Sequence, residues 1–235
     1  MCALPTADVE ILIAEDSSDC RPIQRAIGEH MASGGRRQVA LLHTNAHAKG
    51  YQNPSYAWNA AAKMAKGEVL IIAGAETYPC EPEALDRLYE GVMTHPNDAH
   101  FAHVVAHKDE SSWREHVTSD QWLDADAIKD PNLYSGKQRR VGYFFLGAIA
   151  RKRFVQLRGF DEDFKGPCND DTDFEWRLSM SGSSFHFYDG AVTGIHQWHE
   201  SQWSEPSAAN LLMLHERKGV ITRNPHDTEW ERIQV

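Results

Sequence analysis

Three short apolar runs recur in the first third of the chain, each divided from the next by a stretch of helical period. Val9-Glu10-Ile11-Leu12-Ile13-Ala14 stops at the polar turn Glu15-Asp16-Ser17-Ser18-Asp19. Gln38-Val39-Ala40-Leu41-Leu42-His43 follows a helix over 20–32, and Glu68-Val69-Leu70-Ile71-Ile72-Ala73 follows an alanine-rich helix from Pro54 to Lys66. Apolar runs of this length, bounded by polar turns, read as buried strands. Strands alternating with helices require crossover connections, so the expected fold class is α/β with a mainly parallel central sheet. Ligands of such sheets gather at the carboxyl ends of the strands.

The pattern continues with a helix from Glu81 to Met93 and a strand from Ala99 to Ala106. A polar excursion with some helix runs from Lys108 to Arg140. Loops of that length in a compact domain commonly serve as lids or binding segments. Val141 to Ile149 is a strand, Arg151 to Leu157 a basic helix, and Gly159-Phe160-Asp161 a turn. Beyond it lie a helix over 170–181, strands over 184–188 and 191–195, and a terminal helix over 206–218.

Composition narrows the functional classes. Hydrophobic residues at 41% and charged residues at 25% suit a globular chain. No apolar run reaches the roughly 18–20 residues of a membrane span. Met1 to Asp8 lacks the basic and apolar regions of a secretory signal, so a cytoplasmic location is expected. Cys2, Cys20, Cys80 and Cys168 form no CxxC pair, which disfavours a cysteine zinc site and fits a reducing compartment. A formal charge of -10 disfavours general nucleic-acid binding, although Lys137, Arg139, Arg140, Arg151, Lys152 and Arg153 cluster.

Four stretches carry chemistry. The strand and acidic turn Val9 to Asp19 come first. Gly50-Tyr51-Gln52-Asn53-Pro54-Ser55-Tyr56-Ala57-Trp58-Asn59-Ala60 comes second and leads into Ala65-Lys66-Gly67-Glu68-Val69-Leu70. The third is Gly74-Ala75-Glu76-Thr77-Tyr78-Pro79. The fourth joins Phe144 to Arg151 with Leu157-Arg158-Gly159-Phe160-Asp161-Glu162-Asp163-Phe164-Lys165-Gly166 and Asn169-Asp170-Asp171-Thr172-Asp173-Phe174-Glu175-Trp176-Arg177-Leu178. In the fourth, Gly159 permits a tight turn, Phe160 and Phe164 anchor it, and a helix N-terminus keeps Asp170 and Asp171 ionised.

In this order the stretches resemble the inverting family 2 glycosyltransferases and the related galactosyltransferase-type C-terminal module, over roughly residues 9–200. The resemblance implies a GT-A (Rossmann-like nucleotide-diphospho-sugar transferase) sandwich in a single domain over 1–235. Its nucleotide-sugar half is 1–98, its acceptor and catalytic half 99–203, and its C-terminal helix and tail 204–235. The implied activity is hexosyl transfer from a nucleotide-diphosphate sugar, UDP-linked by expectation, to an acceptor hydroxyl.

The resemblance also implies roles. Asp16 accepts from the uracil N–H, and Asn59 sits under the nucleotide and fixes its loop. Trp58 stands where the family often has arginine. The family's Asp-x-Asp metal turn aligns with Gly74-Ala75-Glu76, so the first acid is absent and Glu76 replaces the second as ligand to Mn2+ or Mg2+. In Gly194-Ile195-His196-Gln197-Trp198-His199, one or both histidines complete the metal set. Asp171 is the base that deprotonates the acceptor and Asp170 an acceptor contact, while Arg177 is a structural ion-pair partner. Asp124-Ala125-Asp126 spells the metal motif literally but follows no apolar strand and is set aside.

Family members place a further strand and helix, roughly 35–45 residues, ahead of the acidic turn. Starting at the second strand implies a sheet short of one strand or completed by a partner chain, which includes a homo-oligomer. Two further readings stay open. One is a catalytically silent relative that binds sugar, nucleotide or protein. The other is a phage-type enzyme glycosylating modified nucleobases, gripping DNA through the basic cluster and Trp113, Trp122 and Tyr134. Glycan and protein acceptors complete the expected partners.

Overall fold

A computed structural model describes residues 9–17, 19–34, 38–129, 131–138, 140–200 and 205–233. Residues 1–8 (with Cys2), Ser18 and Arg139 lie outside the described residues. In chain order the strands and helices are β1 (Glu10–Glu15), α1 (Arg21–Ala32), β2 (Gln38–His43), α2 (Ser55–Met64), β3 (Val69–Ala73), β4 (Thr77–Pro79) and α3 (Ala84–Thr94). There follow β5 (Ala99–Phe101), β6 (His103–Ala106), α4 (Glu110–Val117), β7 (Asn132–Ser135), β8 (Leu146–Ala150) and α5 (Arg151–Gln156). The chain ends with α6 (Asp170–Met180), β9 (Phe185–Phe187), β10 (Thr193–His196) and α7 (Glu205–Glu216). The class is α/β, as the alternation of strands and helices predicts.

Two compact units make up the described chain. One holds Val69–Arg153 and 178–200; the other holds 9–68, Phe154–Arg177 and 205–233.

The first unit contains two four-stranded sheets, ordered β3-β8-β5-β9 and β4-β10-β6-β7. All five residues of β8 are buried, which suits a strand flanked on both sides. The sheets are mixed. β8 runs antiparallel to β3 and β5, and β7 runs antiparallel to β6, whereas β5 with β9 and β6 with β10 pair in parallel. The route of the chain explains the reversals. A parallel neighbour requires a crossover back to the starting edge. Here β5 passes through Ala102 into β6, and the returning chain retraces that path in the opposite sense, β7 along β6 and β8 along β5. The expected single strand over 99–106 is therefore two, one in each sheet. Helix α3 closes the core by burying Ala84, Leu88 and Val92 in one cluster with Val104, Leu146 and Ala148.

In the second unit β1 and β2 pair in parallel from Glu10↔Gln38 to Glu15↔His43, and α2 packs on β1. The core is aromatic: Phe154, Phe160, Phe164 and Phe174 are fully buried. The Phe160 and Phe174 rings lie 4.6 Å apart, and Trp58 stands 5.1 Å from Phe160. Trp58, at the position of the family's arginine, is thus a packing residue. Cys20, Cys80 and Cys168 form no disulfide with one another. No helix among the described residues is long and apolar enough to cross a membrane.

Candidate functional site

The short strand β4 builds the site of the first unit. Gly74 accepts from the Thr77 N–H at 3.0 Å, closing a tight turn after β3. β4 then pairs antiparallel with β10, Thr77 opposite His196. That register sets Glu76 against the residue after His196, and the Gln197 N–H donates to the Glu76 carbonyl at 2.8 Å. The Glu76 Oε1 and His196 Nε2 are 3.6 Å apart. One ligating atom each from Glu76, His196 and His199 lies within 4.8 Å of the other two.

The surroundings fix these groups. His196 is 2% exposed, with the rings of Tyr134 and Phe145 at 4.8 and 5.2 Å. Its Nδ1 is buried and has no hydrogen-bond partner among the described residues. The exposed His199 places Nδ1 3.1 Å from the Glu200 carbonyl. A carbonyl only accepts, so Nδ1 carries the proton and Nε2 the lone pair that a metal needs. The imidazole of His196 holds the Glu76 carboxyl below its ordinary value, outweighing the upward push of burial. A Cβ added at Gly74 would meet the Glu76 carboxylate at 3.4 Å, so the Glu76 side chain folds back over Gly74. The donor set of one carboxylate and two imidazoles fits a divalent first-row transition ion.

In the second unit the Leu157–Arg177 part of the fourth motif forms the expected turn and helix start, with burial stronger than the sequence implies. Gly159 has φ +65°, and a Cβ there would meet the Asn59 Oδ1 at 2.1 Å. Asn59 is fully buried. Its amide donates to the Phe160 carbonyl and to Glu162 Oε1, both at 2.9 Å, and its Oδ1 accepts from the Phe160 N–H at 2.9 Å. Its full set of bonds goes to fixing the turn. Arg177 is buried, donating to Asp173 Oδ2 at 2.7 Å and to the carbonyls of Leu157 and Gly159 at 3.0 and 2.8 Å, the structural role expected of it.

Asp170 and Asp171 open α6. The approach is strained: Cys168 and Asn169 have φ of 71° and 72°. Asn210 holds this loop by donating to the carbonyls of Gly166 and Cys168 at 2.8 and 2.9 Å, and Asn53 donates to Gly166 at 2.9 Å. Non-glycine residues in this region store strain, a feature common at functional sites. Asp170 is 4% exposed and accepts from Ser55 Oγ at 2.9 Å. Burial pushes its carboxyl above the ordinary value despite that bond, so here desolvation outweighs the helix field. Asp171 is half-buried in the same first turn. Asp16 is half-buried just beyond β1, at the carboxyl end of the parallel pair.

Other expectations resolve locally. Asp124 accepts from the Asp126 N–H at 3.0 Å and caps a short 3-10 turn, consistent with setting it aside as a metal motif. Within the basic cluster, Arg153 donates to the hydroxyls of Ser181 and Ser183 and to the Ser181 carbonyl. Of the aromatics in the excursion, Tyr134 packs on His196 and Trp122 lies 5.9 Å from Tyr78. The sequence reading misses the cluster His95, Asp98 and His186, whose ligating atoms also lie within 4.8 Å of one another. No spacing rule signals it, because it forms only when β5 pairs with β9.

No protein-family model matches the chain, and comparison with curated proteins gives no match. Solved structures do match. The structure of GalNAc-T7 with UDP, GalNAc and Mn2+ superposes with a TM-score of 0.60 at 16% identity, covering 88% of this chain and 41% of that one. A mycobacterial protein covers 88% of this chain at 11% identity with a TM-score of 0.42. The first likeness shows the fold, which is of GT-A type, and the chain spans less than half the length of that neighbour.

Proposed function

We propose that the chain is a metal-dependent glycosyltransferase acting on a nucleotide-diphosphate sugar, with UDP as the expected nucleotide. One observation carries this reading: the β4–β10 pairing gathers Glu76, His196 and His199, with one ligating atom from each within 4.8 Å of the other two. Those three residues would hold Mn2+ or Mg2+, which when bound offsets negative charge on the diphosphate leaving group. The GalNAc-T7 structure contains UDP and Mn2+, which supports this choice of ligands.

The protein's own residues supply the rest. Asp171 takes the acceptor hydroxyl proton as the oxygen attacks the anomeric carbon and the nucleoside diphosphate departs, giving inversion. Asp16 receives the base N–H. Asp170, buried and tied to Ser55, is better suited to positioning α6 than to touching an acceptor, and Asn59 likewise positions the Gly159–Phe160 turn. The test is sugar transfer or donor hydrolysis with Mn2+. Asp171→Asn should lower the rate about 100-fold or more, and Glu76→Gln should raise the Mn2+ requirement. Full activity in both variants removes the assignment, and a product retaining the donor's anomeric configuration removes the role of Asp171 alone.

Glycine in place of the first acid favours a second reading, a relative that binds nucleotide or sugar without turnover. Metal-linked UDP binding with no transfer or hydrolysis across a donor panel would select it.

A further inference from the structure

The cluster at Glu76 leaves a second set of ligating side chains in the same unit unused. His95 lies just beyond the C-terminal end of α3, Asp98 precedes β5, and His186 stands on β9 opposite His100. The Asp98 N–H donates to the His95 carbonyl at 3.0 Å, and Asp98 Oδ1 accepts from the Ser184 N–H at 2.9 Å. The carboxylate is thereby fixed between the helix end and β9. His186 Nε2 is 2.8 Å from Asp98 Oδ2. The His95 and His186 rings stack at 4.8 Å and 15°, and His100, bonded to the Tyr188 hydroxyl at 3.0 Å, stacks on His186 at 4.7 Å and 8°. One ligating atom from each of His95, Asp98 and His186 lies within 4.8 Å of the other two.

We infer that His95, Asp98 and His186 form a second cation site, suited to Zn2+ or a similar transition ion and separate in ligands from the cluster at Glu76. Two imidazoles and a carboxylate are the donor set of three-ligand zinc sites that keep a fourth position for water or an anion. Around a tetrahedral ion with bonds of about 2.0–2.1 Å, ligand atoms stand about 3.3 Å apart. The His186–Asp98 pair therefore opens by about 0.5 Å as the ion replaces the proton between them, and the exposed His95 swings inward by side-chain rotation. The stack on the buried His100 restricts rotation of the His186 ring. His95 and His186 also border a cavity of ≈ 590 Å³, which Arg87, Glu90, Lys137 and Tyr188 line as well. The cavity gives an ion access from solvent and room for the fourth ligand, with two cationic side chains to draw an anion.

The test counts Zn2+ bound by tag-free, metal-stripped protein in equilibrium dialysis, with Co2+ absorption reporting the geometry. The variants are His95→Ala, Asp98→Asn, His199→Ala and the double variant His95→Ala/His199→Ala, each checked for wild-type circular dichroism. His95 is exposed, so its replacement removes the ring stack on His186 and leaves the core intact. The expected result is two ions per wild-type chain, one in His95→Ala, one in His199→Ala and none in the double variant. Affinity at the second site should fall at least about tenfold in Asp98→Asn. If His95→Ala and Asp98→Asn keep the wild-type count and affinity, the second site is disproved. If instead only His199→Ala leaves the count unchanged, the cluster at Glu76 fails and this one stands.

Discussion

Single residues in the fourth motif carry more structural than chemical load. Gly159 combines a left-handed backbone with a contact that leaves no space for a methyl group. Gly159→Ala should cost about 2 kcal/mol or more in chemical denaturation, from the positive φ together with displacement of Asn59. Asp170 makes a prediction with a definite sign. A carboxyl raised on folding binds more protons in the folded than in the unfolded state, so its contribution is present at low pH and lost as pH rises. Relative to Asp170→Asn, which keeps an oxygen for Ser55, the wild type should lose stability from the ordinary carboxylate value of 3.8 upward. An unchanged stability difference between the two across pH 3–7 would contradict the burial assigned to Asp170. At this scale the sequence is informative where a residue type has one physical use. Gly159, Phe160, Phe164 and Arg177 serve as their types suggest. The burial of Asp170 and Asn59 is not legible, because it depends on α2 and the loop before α6 meeting them from far along the chain.

Elements depend on pairings that local pattern does not display. The strands β1, β2 and β3 are legible because each is an apolar run, the first two ending in polar residues and the third in Gly74. β4 and β7 are short and carry no alternation long enough to register, yet β4 sets Glu76 beside His196 and Tyr134 of β7 packs on that same imidazole. The fixed entry to α6 rests on a buried charge network absent from any short motif. Arg223 reaches Asp161 and Asp173 at 2.8 and 2.6 Å, beside the Arg177 bonds to Asp173. Arg177→Met should destabilise the protein by about 3 kcal/mol or more, because it removes one of the two guanidinium partners of the buried Asp173 and leaves the Leu157 and Gly159 carbonyls without their donor. Lysine should not rescue it, lacking the fork that serves three acceptors. Helix α4 offers a pH test. His107 is 2% exposed, and burial first, with His116 second, lowers its pKa to about 4. A histidine depressed on folding stabilises above its unfolded value of 6.5 and loses that contribution as pH falls towards 4. The denaturation midpoint should therefore drop between pH 7 and pH 5, and less so in His107→Asn.

For the whole molecule, the order of motifs discloses the fold better than any one of them. At 16% identity to a GT-A structure the fold is still shared, because a fold follows from burial and chain connectivity more than from particular side chains. The donor chemistry is less legible, since Gly74-Ala75-Glu76 does not spell the expected Asp-x-Asp turn and only the β4–β10 pairing brings Glu76 to His196. The central claim is that Glu76, His196 and His199 hold the cation of a nucleotide-sugar site. Calorimetric titration of UDP with and without Mn2+ tests it directly. UDP affinity should rise at least about tenfold with Mn2+ in the wild type and lose that rise in Glu76→Gln and His199→Ala. Equal UDP affinity with and without Mn2+ in the wild type, or a full Mn2+ effect in both variants, would contradict it.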